Sequence, residues 1–280
     1  MHNSEKYPIG VFDSGYGGLT VLKEFVKTLP EHDFIYLGDN ARAPYGNRSF
    51  ETVYEFTLAC VQQLFSLGCR LVILACNTAS AKALRNIQQN DLPKIDKMRR
   101  VLGVIRPTAE VIGEISKTKH VGVFATAGTV NSQSYLIEIQ KFFPELKVFQ
   151  EACPMWVPLI ENNEFDKPGA DYFVQKHIQN LMSQADNIDT IILGCTHYPL
   201  LEKKIKEFLP GTVQLISQGE IVAKSLKDYL ERHSEIDNKC SKNSSLKFFT
   251  TDSSEIFDAH ASIFFGKKVT SEFIDSSISF

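Results

Sequence analysis

The sequence predicts an α/β protein of two pseudo-symmetric halves, each a three-layer α/β domain with a largely parallel sheet. Two mostly β-branched apolar runs, Leu71-Val72-Ile73-Leu74 and Thr190-Ile191-Ile192-Leu193, read as strands buried on both faces. Each is followed by a small residue and a cysteine, in Ala75-Cys76-Asn77-Thr78 and Gly194-Cys195-Thr196-His197. A Gly-Val-Phe strand with a small, hydroxyl-rich loop after it also occurs twice, at Gly10 and Gly122, 112 residues apart; the two cysteines are 119 apart. Landmarks that recur at nearly one interval point to related halves.

The first strand, Pro8-Ile9-Gly10-Val11-Phe12, runs into a glycine-rich turn, Asp13-Ser14-Gly15-Tyr16-Gly17-Gly18. Leu22, Phe25, Val26 and Leu29 then carry helical spacing. A helix start after such a turn can hold an anion, but Asp13 at the strand tip would oppose a phosphate, and no G-x-x-x-x-G-K-[ST] is present. A second strand, Asp33 to Asp39, ends in an acid, and Asn40 to Arg48 is a loop by its Pro and Gly content. Ser49 to Gly68 is an amphipathic helix, the first cysteine strand follows, and a helix is expected from about Ala79 to Gln89.

The polar stretch Asn90 to Arg100 reads as a crossing between domains. Strand Arg100 to Ile105 and a helix opened by Pro107 come next. After the second Gly-Val-Phe strand, Lys147 to Pro154 is a strand and turn, Val157-Pro158-Leu159-Ile160-Glu161 leads into a loop, and Ala170 to Gln184 is a helix. The second cysteine strand spans about 188–194, with a helix Leu200 to Phe208, a strand Gln214 to Ser217 and a helix Ile221 to Arg232 behind it. Ser234 to Ser245 reads as a mobile polar loop. Leu246 to Asp252 reads as an edge strand, followed by a helix and tail. The expected division is 1–98 plus 209–280 for one domain and 99–208 for the other.

Length and composition agree with this. The 280 residues suit two domains of ordinary size or one large one, and 43% hydrophobic with 22% charged residues are values of a soluble globular chain. A formal charge of −3 without a Lys/Arg stripe argues against nucleic-acid or anionic-membrane partners. No apolar run is as long as a membrane span. Met1 to Pro8 lacks the apolar core of a signal peptide, so a cytoplasmic setting is expected. The cysteines, Cys60, Cys69, Cys76, Cys153, Cys195 and Cys240, show no C-x-x-C or zinc-type spacing and are expected to be reduced. Cys60 and Cys69 read as small buried hydrophobes, and Cys153 and Cys240 carry no assigned role.

Cys76 and Cys195 differ because ligands of open α/β sheets bind beyond the carboxyl ends of strands. If the two halves close on one ligand, each thiol approaches it from an opposite face. A thiolate on one side can then remove a proton from a carbon while a thiol on the other returns one, inverting the stereocentre. A free thiol titrates near about 8.5, so such a site must activate it. Asp13 and Asn77 at the first tip and His197 beyond the second are the polar groups at hand. Asp13 either serves this chemistry or caps the following helix. His197 is either an acid/base or a structural histidine. Thr78, Thr126, Thr129 and Thr196 can bind a ligand or merely bond to local backbone.

These pieces together resemble glutamate racemase, within the cofactor-independent aspartate/glutamate racemase group. The resemblance rests on Ile9 to Gly18, Tyr36-Leu37-Gly38-Asp39, Pro44-Tyr45-Gly46, Ala75 to Ser80, Val157 to Glu161, Leu193 to Leu200 and Thr250-Thr251-Asp252. It implies two α/β domains with the active site in the cleft between them, no cofactor and no metal. It implies that Cys76 serves D-glutamate and Cys195 L-glutamate, assisted by Asp13, Asp39, Glu161 and His197. Asp13, Ser14, Pro44, Tyr45, Gly46, Asn77, Thr78, Thr196 and His197 match substrate-holding positions, and Thr126 and Thr129 resemble ligands of the amino-acid group. A homodimer that supplies D-glutamate to the bacterial cell wall is implied as well. One departure is Thr108, in Ile105-Arg106-Pro107-Thr108, where the pattern favours a smaller residue.

Other readings remain open on sequence alone. One is a racemase for aspartate or a related amino acid. A second is a cysteine hydrolase on Cys195 and His197, disfavoured because a single intervening residue makes the thiol–imidazole geometry hard. A third is a two-lobed amino-acid-binding protein without chemistry, which gives no reason for paired thiols.

Overall fold

The computed structural model describes residues 6–275; residues 1–5, which contributed to the reading of the N-terminus, lie outside them. Ten strands are present among the described residues: β1 (Ile9–Asp13), β2 (Phe34–Gly38), β3 (Leu71–Leu74), β4 (Arg100–Gly103), β5 (His120–Ala125), β6 (Lys147–Ala152), β7 (Thr190–Gly194), β8 (Gln214–Ile216), β9 (Leu246–Thr250) and β10 (Ser271–Phe273). They form two sheets, ordered β10-β9-β2-β1-β3-β4 and β6-β5-β7-β8. Every pairing between these strands is parallel.

The internal repeat is real at the level of register. The order β2-β1-β3-β4 is reproduced by β6-β5-β7-β8. Gly10 lies opposite Ile35 and Val72, and Gly122 lies opposite Phe149 and Ile191. Cys76 and Cys195 each stand four residues beyond those partners, at matching tips.

The same order corrects the expected boundaries. Arg100–Gly103 pairs with β3 in the first sheet, and Gln214–Ile216 pairs with β7 in the second. Each half therefore ends on one more strand outside its cysteine strand, and the divisions at 98/99 and 208/209 each cut before it. A short apolar pattern announces a strand but not its neighbour. The stretch 90–100 is accordingly not the crossing: Leu92–Ile95 is helical and leads to β4 in the same sheet.

Three smaller expectations also change. Trp156–Glu161 is a helix, its Trp156 and Ile160 buried. β9 is not an edge, because β10 adds outside it. Residues 234–245 are pinned rather than loose: Ser234–Asp237 is helical, Tyr7 exchanges backbone hydrogen bonds of 2.8 and 2.9 Å with Lys239 and Ser241, and the Asp33 carboxylate accepts from the Asn243 and Ser245 amides.

Local chemistry sets the remaining elements. Ser49 caps the helix Phe50–Ser66 by accepting from the Thr52 amide at 3.1 Å, and Gly68 ends it at φ +95°. Alternation along β1 sends Ile9 and Val11 to a cluster with Leu22 and Phe25 of the helix Leu19–Thr28, and Phe12 to a cluster with Val53 and Leu64 on the other face. In the second half Trp156 is fully buried, its ring centroid 4.9 Å from those of Phe124 and Tyr198. Burying such side chains contributes about 1.5–3 kcal/mol each, and this packing holds the strand tips where the chemistry needs them.

Candidate active site

The carboxyl ends of β1, β2 and β3 face those of β5, β6 and β7 across one cleft. The first sheet supplies Ser14, the loop Ala43-Pro44-Tyr45-Gly46-Asn47, and Cys76-Asn77-Thr78. The second supplies Thr126, Cys153, Pro154, Val157, Pro158 and Glu161, and Cys195-Thr196-His197. Both strand-tip thiols thus reach one cavity, each from its own half.

Cys76 is buried where β3 turns into the helix Asn77–Lys82. Its Sγ takes the place of an N-cap oxygen, accepting from the Ala79 amide at 3.4 Å, and lies 3.5 Å from Ser14 Oγ. Burial pushes this thiol up to about 12; the Asp13 charge adds to the rise, and the Ser14 and Ala79 hydrogen bonds oppose it.

Cys195 has different company. Its Sγ lies 4.0 Å from His197 Nδ1, and His197 Nε2 lies 3.0 Å from Glu161 Oε1. Burial works against a charged imidazole, but hydrogen bonding and charge from Cys195 and Glu161 outweigh it, and His197 is pushed up to about 10. The turn after β7 therefore brings thiol and imidazole together despite the single residue between them, so the geometric objection drawn from that spacing does not hold.

The N-cap of the helix Leu19–Thr28 is Gly18, and Asp13 engages its backbone N–H, so this acid serves the helix start as well as the site. Fully buried, it accepts from the Gly15 amide at 3.0 Å and from Thr196 Oγ1 at 3.3 Å, tying the first strand tip to the turn after β7. Burial raises its pKa, and the charge of His197 opposes the rise. Thr20 Oγ1 adds a second tie, donating to the Thr196 carbonyl at 3.0 Å.

Asp39 and Thr129 sit one layer behind the wall. Asp39, fully buried, pairs with Arg42 Nε at 2.7 Å and accepts from Thr251 Oγ1 at 2.9 Å and from the Tyr45 hydroxyl. It holds the wall residue Tyr45 rather than facing the cleft. Thr129 takes a 3.1 Å hydrogen bond from Thr126, and Thr126 lies 2.9 Å from Thr78 Oγ1, so three hydroxyls join the halves. Asn77 has its Oδ1 bonded to Tyr135 Oη at 2.7 Å, while its buried Nδ2 has no partner among the described residues.

Ala43, Asn47, Cys153, Pro154, Val157 and Pro158 line the cleft without having been singled out as site residues. A usable signal existed for Cys153: it follows β6, whose tip lies beside that of β5. Tyr135, a helical residue in mid-sequence, gave none. Among the described lining residues none is Lys or Arg; the side-chain donors are hydroxyls, the Asn47 and Asn77 amides, a histidine and thiols.

The Asp/Glu/Hydantoin racemase family model matches residues 9–226. A glutamate racemase of Bacillus cereus is 40% identical over 262 residues, 93% of this chain and 94% of its own length. The crystal structure of a glutamate racemase isoform from Bacillus anthracis superposes with a TM-score of 0.87 at 36% identity, covering 96% of this chain and 97% of that one. That of Francisella tularensis glutamate racemase, in complex with D-glutamate, superposes with a TM-score of 0.86 at 32% identity, covering 97% and 98%.

Proposed function

We propose that this chain, which belongs to the Asp/Glu/Hydantoin racemase family, interconverts L-glutamate and D-glutamate with two cysteines as its bases. That it is an isomerase, an amino-acid racemase, follows from the family and its relatives. The substrate is inferred from named glutamate racemases that match nearly end to end. The observation that carries the mechanism is one cleft receiving Cys76 from the first half and Cys195 from the second.

In the L-to-D direction the Cys195 thiolate removes the α-proton. The electron pair of the broken C–H bond moves into the α-carboxylate, and the Cys76 thiol delivers its proton to the opposite face of the same carbon. Buried beside Asp13, Cys76 keeps its proton at neutral pH, which suits an acid. His197, held charged by its hydrogen bonds to Cys195 and Glu161, sets a positive charge 4.0 Å from the Cys195 sulfur. In the reverse direction Cys76 must ionise, and the positive charge favouring this is the ammonium group of the substrate itself. With no Lys or Arg on the wall, the two substrate carboxylates are held by neutral donors, Ser14, Asn77, Thr78, Thr126 and Thr196 among them. Fixed dipoles in a water-poor cleft serve the developing carbanion well because they need no reorganisation. The reading includes a cytoplasmic homodimer whose product supplies peptidoglycan synthesis; no helix among the described residues is long and apolar enough to cross a membrane.

The test is a circular-dichroism assay on each glutamate enantiomer, with aspartate alongside and with and without chelator. Cys76→Ser and Cys195→Ser should each lose about 10²–10⁴-fold or more in racemisation, the usual worth of a general acid or base. Turnover in heavy water should place deuterium at Cα. Inversion without that exchange, or an aspartate rate above the glutamate rate, defeats the proposal.

A further inference from the structure

The chain passes between the two halves at the ends of their outermost cysteine-side strands. After β4, in the first sheet, the helix Ile105–Ile115 packs on the helix Ser134–Phe142 of the second half, and its Ile105, Ala109 and Ile112 join a cluster with Val121 and Val123. After β8, in the second sheet, the helix Gly219–Arg232 packs on the helix Leu19–Thr28 of the first half, and its Val222, Ala223 and Leu226 join Val11 and Leu22. The covalent link between the sheets is therefore two short passages, at about 103–105 and 216–219. Element ends of this kind are where domains turn relative to one another.

One buried side chain bridges the two passages. Gln218, 4% exposed, donates from Nε2 to the Val104 carbonyl at 3.2 Å and to Thr108 Oγ1 at 2.9 Å. Both amide hydrogens are used across the gap, and a fully satisfied buried amide fixes direction as well as distance. Thr108, fully buried, is the residue where the resemblance favours something smaller; Gly or Ala there would leave Gln218 with one of its two acceptors. Each passage also abuts an element that carries a cysteine. The Val104 amide donates to Ser80 Oγ at 3.4 Å, on the helix Asn77–Lys82 that Cys76 caps. A Cβ at Gly219 would lie 3.3 Å from the Thr20 carbonyl, and Thr20 is the residue whose hydroxyl bonds to the Thr196 carbonyl beside Cys195.

We propose that Gln218 and Thr108 are positioning residues: joined across the two passages, they set the separation at which the halves present Cys76 and Cys195 to one carbon. This rests on the reading of the chain as a two-cysteine glutamate racemase. Removal of the α-proton needs one thiolate, whereas inversion needs the thiol of the other half within reach of the same carbon. With the pin gone, the second thiol is late. The proton-bearing thiol then returns a proton to the face it came from, after exchange with solvent, and the substrate keeps its configuration but gains a solvent hydrogen.

The experiment compares Gln218→Met, Thr108→Val, their double variant and Asp33→Asn with wild type, as full chains in heavy water, starting from each glutamate enantiomer. Gln218→Met keeps the length of the side chain and loses both donors. It should slow racemisation about tenfold or more in both directions, a misplacement effect, and raise about tenfold the ratio of deuterium in recovered substrate to deuterium in inverted product. Thr108→Val should move that ratio the same way by less, and the double variant should go no further than Gln218→Met, since both break one contact. Asp33→Asn loosens the segment 243–245 at the amino ends of the first sheet; it lowers stability and should leave the ratio at its wild-type value. Should Gln218→Met not fold, Thr108→Val reads the same pin. Wild-type racemisation and ratio in a folded Gln218→Met protein, an equal fall in exchange and inversion, a ratio that moves for one enantiomer alone, or one that moves in Asp33→Asn overturns the proposal. A wild-type chain inert on both enantiomers defeats the functional reading itself, whereas an active wild type with a silent Gln218→Met defeats the pin alone.

Discussion

On the proposed two-cysteine mechanism, adding one methyl group at Gly17 should disable one base without touching either cysteine. A Cβ built there would lie 2.3 Å from Thr196 Oγ1 and 2.4 Å from His197 Nδ1. Ordinary contact begins about 1 Å further out, so the turn 195–197 must retreat by roughly that much. Overpacking of this kind costs about 1–3 kcal/mol of stability, and a misplacement near 1 Å at a catalytic group costs on the order of 10²-fold in rate. The retreat would break the 4.0 Å approach of His197 to Cys195 and the Thr196–Asp13 hydrogen bond, while Cys76 keeps its Ala79 and Ser14 contacts. Gly17→Ala should therefore racemise about 10²-fold more slowly in both directions, because inversion needs both thiols either way. Exchange of the α-proton with heavy water separates the sides: D-glutamate, served by Cys76, should still take up deuterium, and L-glutamate should not. Racemisation by Gly17→Ala at the wild-type rate, or equal loss of exchange from both enantiomers in a folded variant, would refute the assignment of His197 to Cys195.

Two further expectations concern charge. Glu161→Gln weakens what holds His197 protonated. A histidine raised from 6.5 to about 10 contributes stability that is full below 6.5 and is lost as pH rises through about 10. The variant should accordingly be less stable than wild type by about 2 kcal/mol at neutral pH, the scale of a hydrogen bond to a charged group, with the gap closing toward pH 10; thermal melts across that range check it, and a gap that does not depend on pH counts against it. Asp189→Asn tests the scaffold. Burial disfavours this carboxylate, but Ser116, Thr190 and the amides of Lys117 and Thr118 outweigh it and hold it down to about 2. Its contribution is present above 3.8 and lost as pH falls through about 2, so the variant should lose about 1–3 kcal/mol at neutral pH by denaturant titration, with the deficit shrinking in acid.

What could be read from the sequence follows from which features are local. The cysteine strands were legible because a β-branched run buried on both faces leaves a dense apolar signature, and the polar residues after Cys76 and Cys195 mark where it ends. The repeat was legible through Gly10 and Gly122, whose registers coincide. Sheet membership was not. Arg100–Gly103 and Gln214–Ile216 are four and three residues long and only partly buried, so nothing in either states its partner. The depth of Asp39 was hidden for a similar reason: its cation, Arg42, lies three residues away, but Thr251 comes from far along the chain. Tyr135 reaches Asn77 across 58 residues of sequence and sits in no motif.

The register of the repeat also shows how a symmetric frame can hold an unsymmetric site. In the second half Asp13 corresponds to Ala125 and Ser14 to Thr126, while Thr196 and His197 correspond to Asn77 and Thr78 of the first. The buried acid and the buried imidazole therefore occur once each, in opposite halves and at non-equivalent places. They nonetheless meet: Thr196 donates to Asp13, and the charge of His197 lowers the Asp13 pKa against its burial. Two related strand tips suffice to bring one thiol from each half to the same cleft. The proposed substrate, with an ammonium and two carboxylates, has no mirror symmetry in that cleft, so on the proposed mechanism the two thiols are expected to have unlike surroundings. The repeat in register accounts for the pair of sulfur atoms, and the unlike residues at Asp13 and His197 leave one beside a buried acid and the other beside an imidazolium.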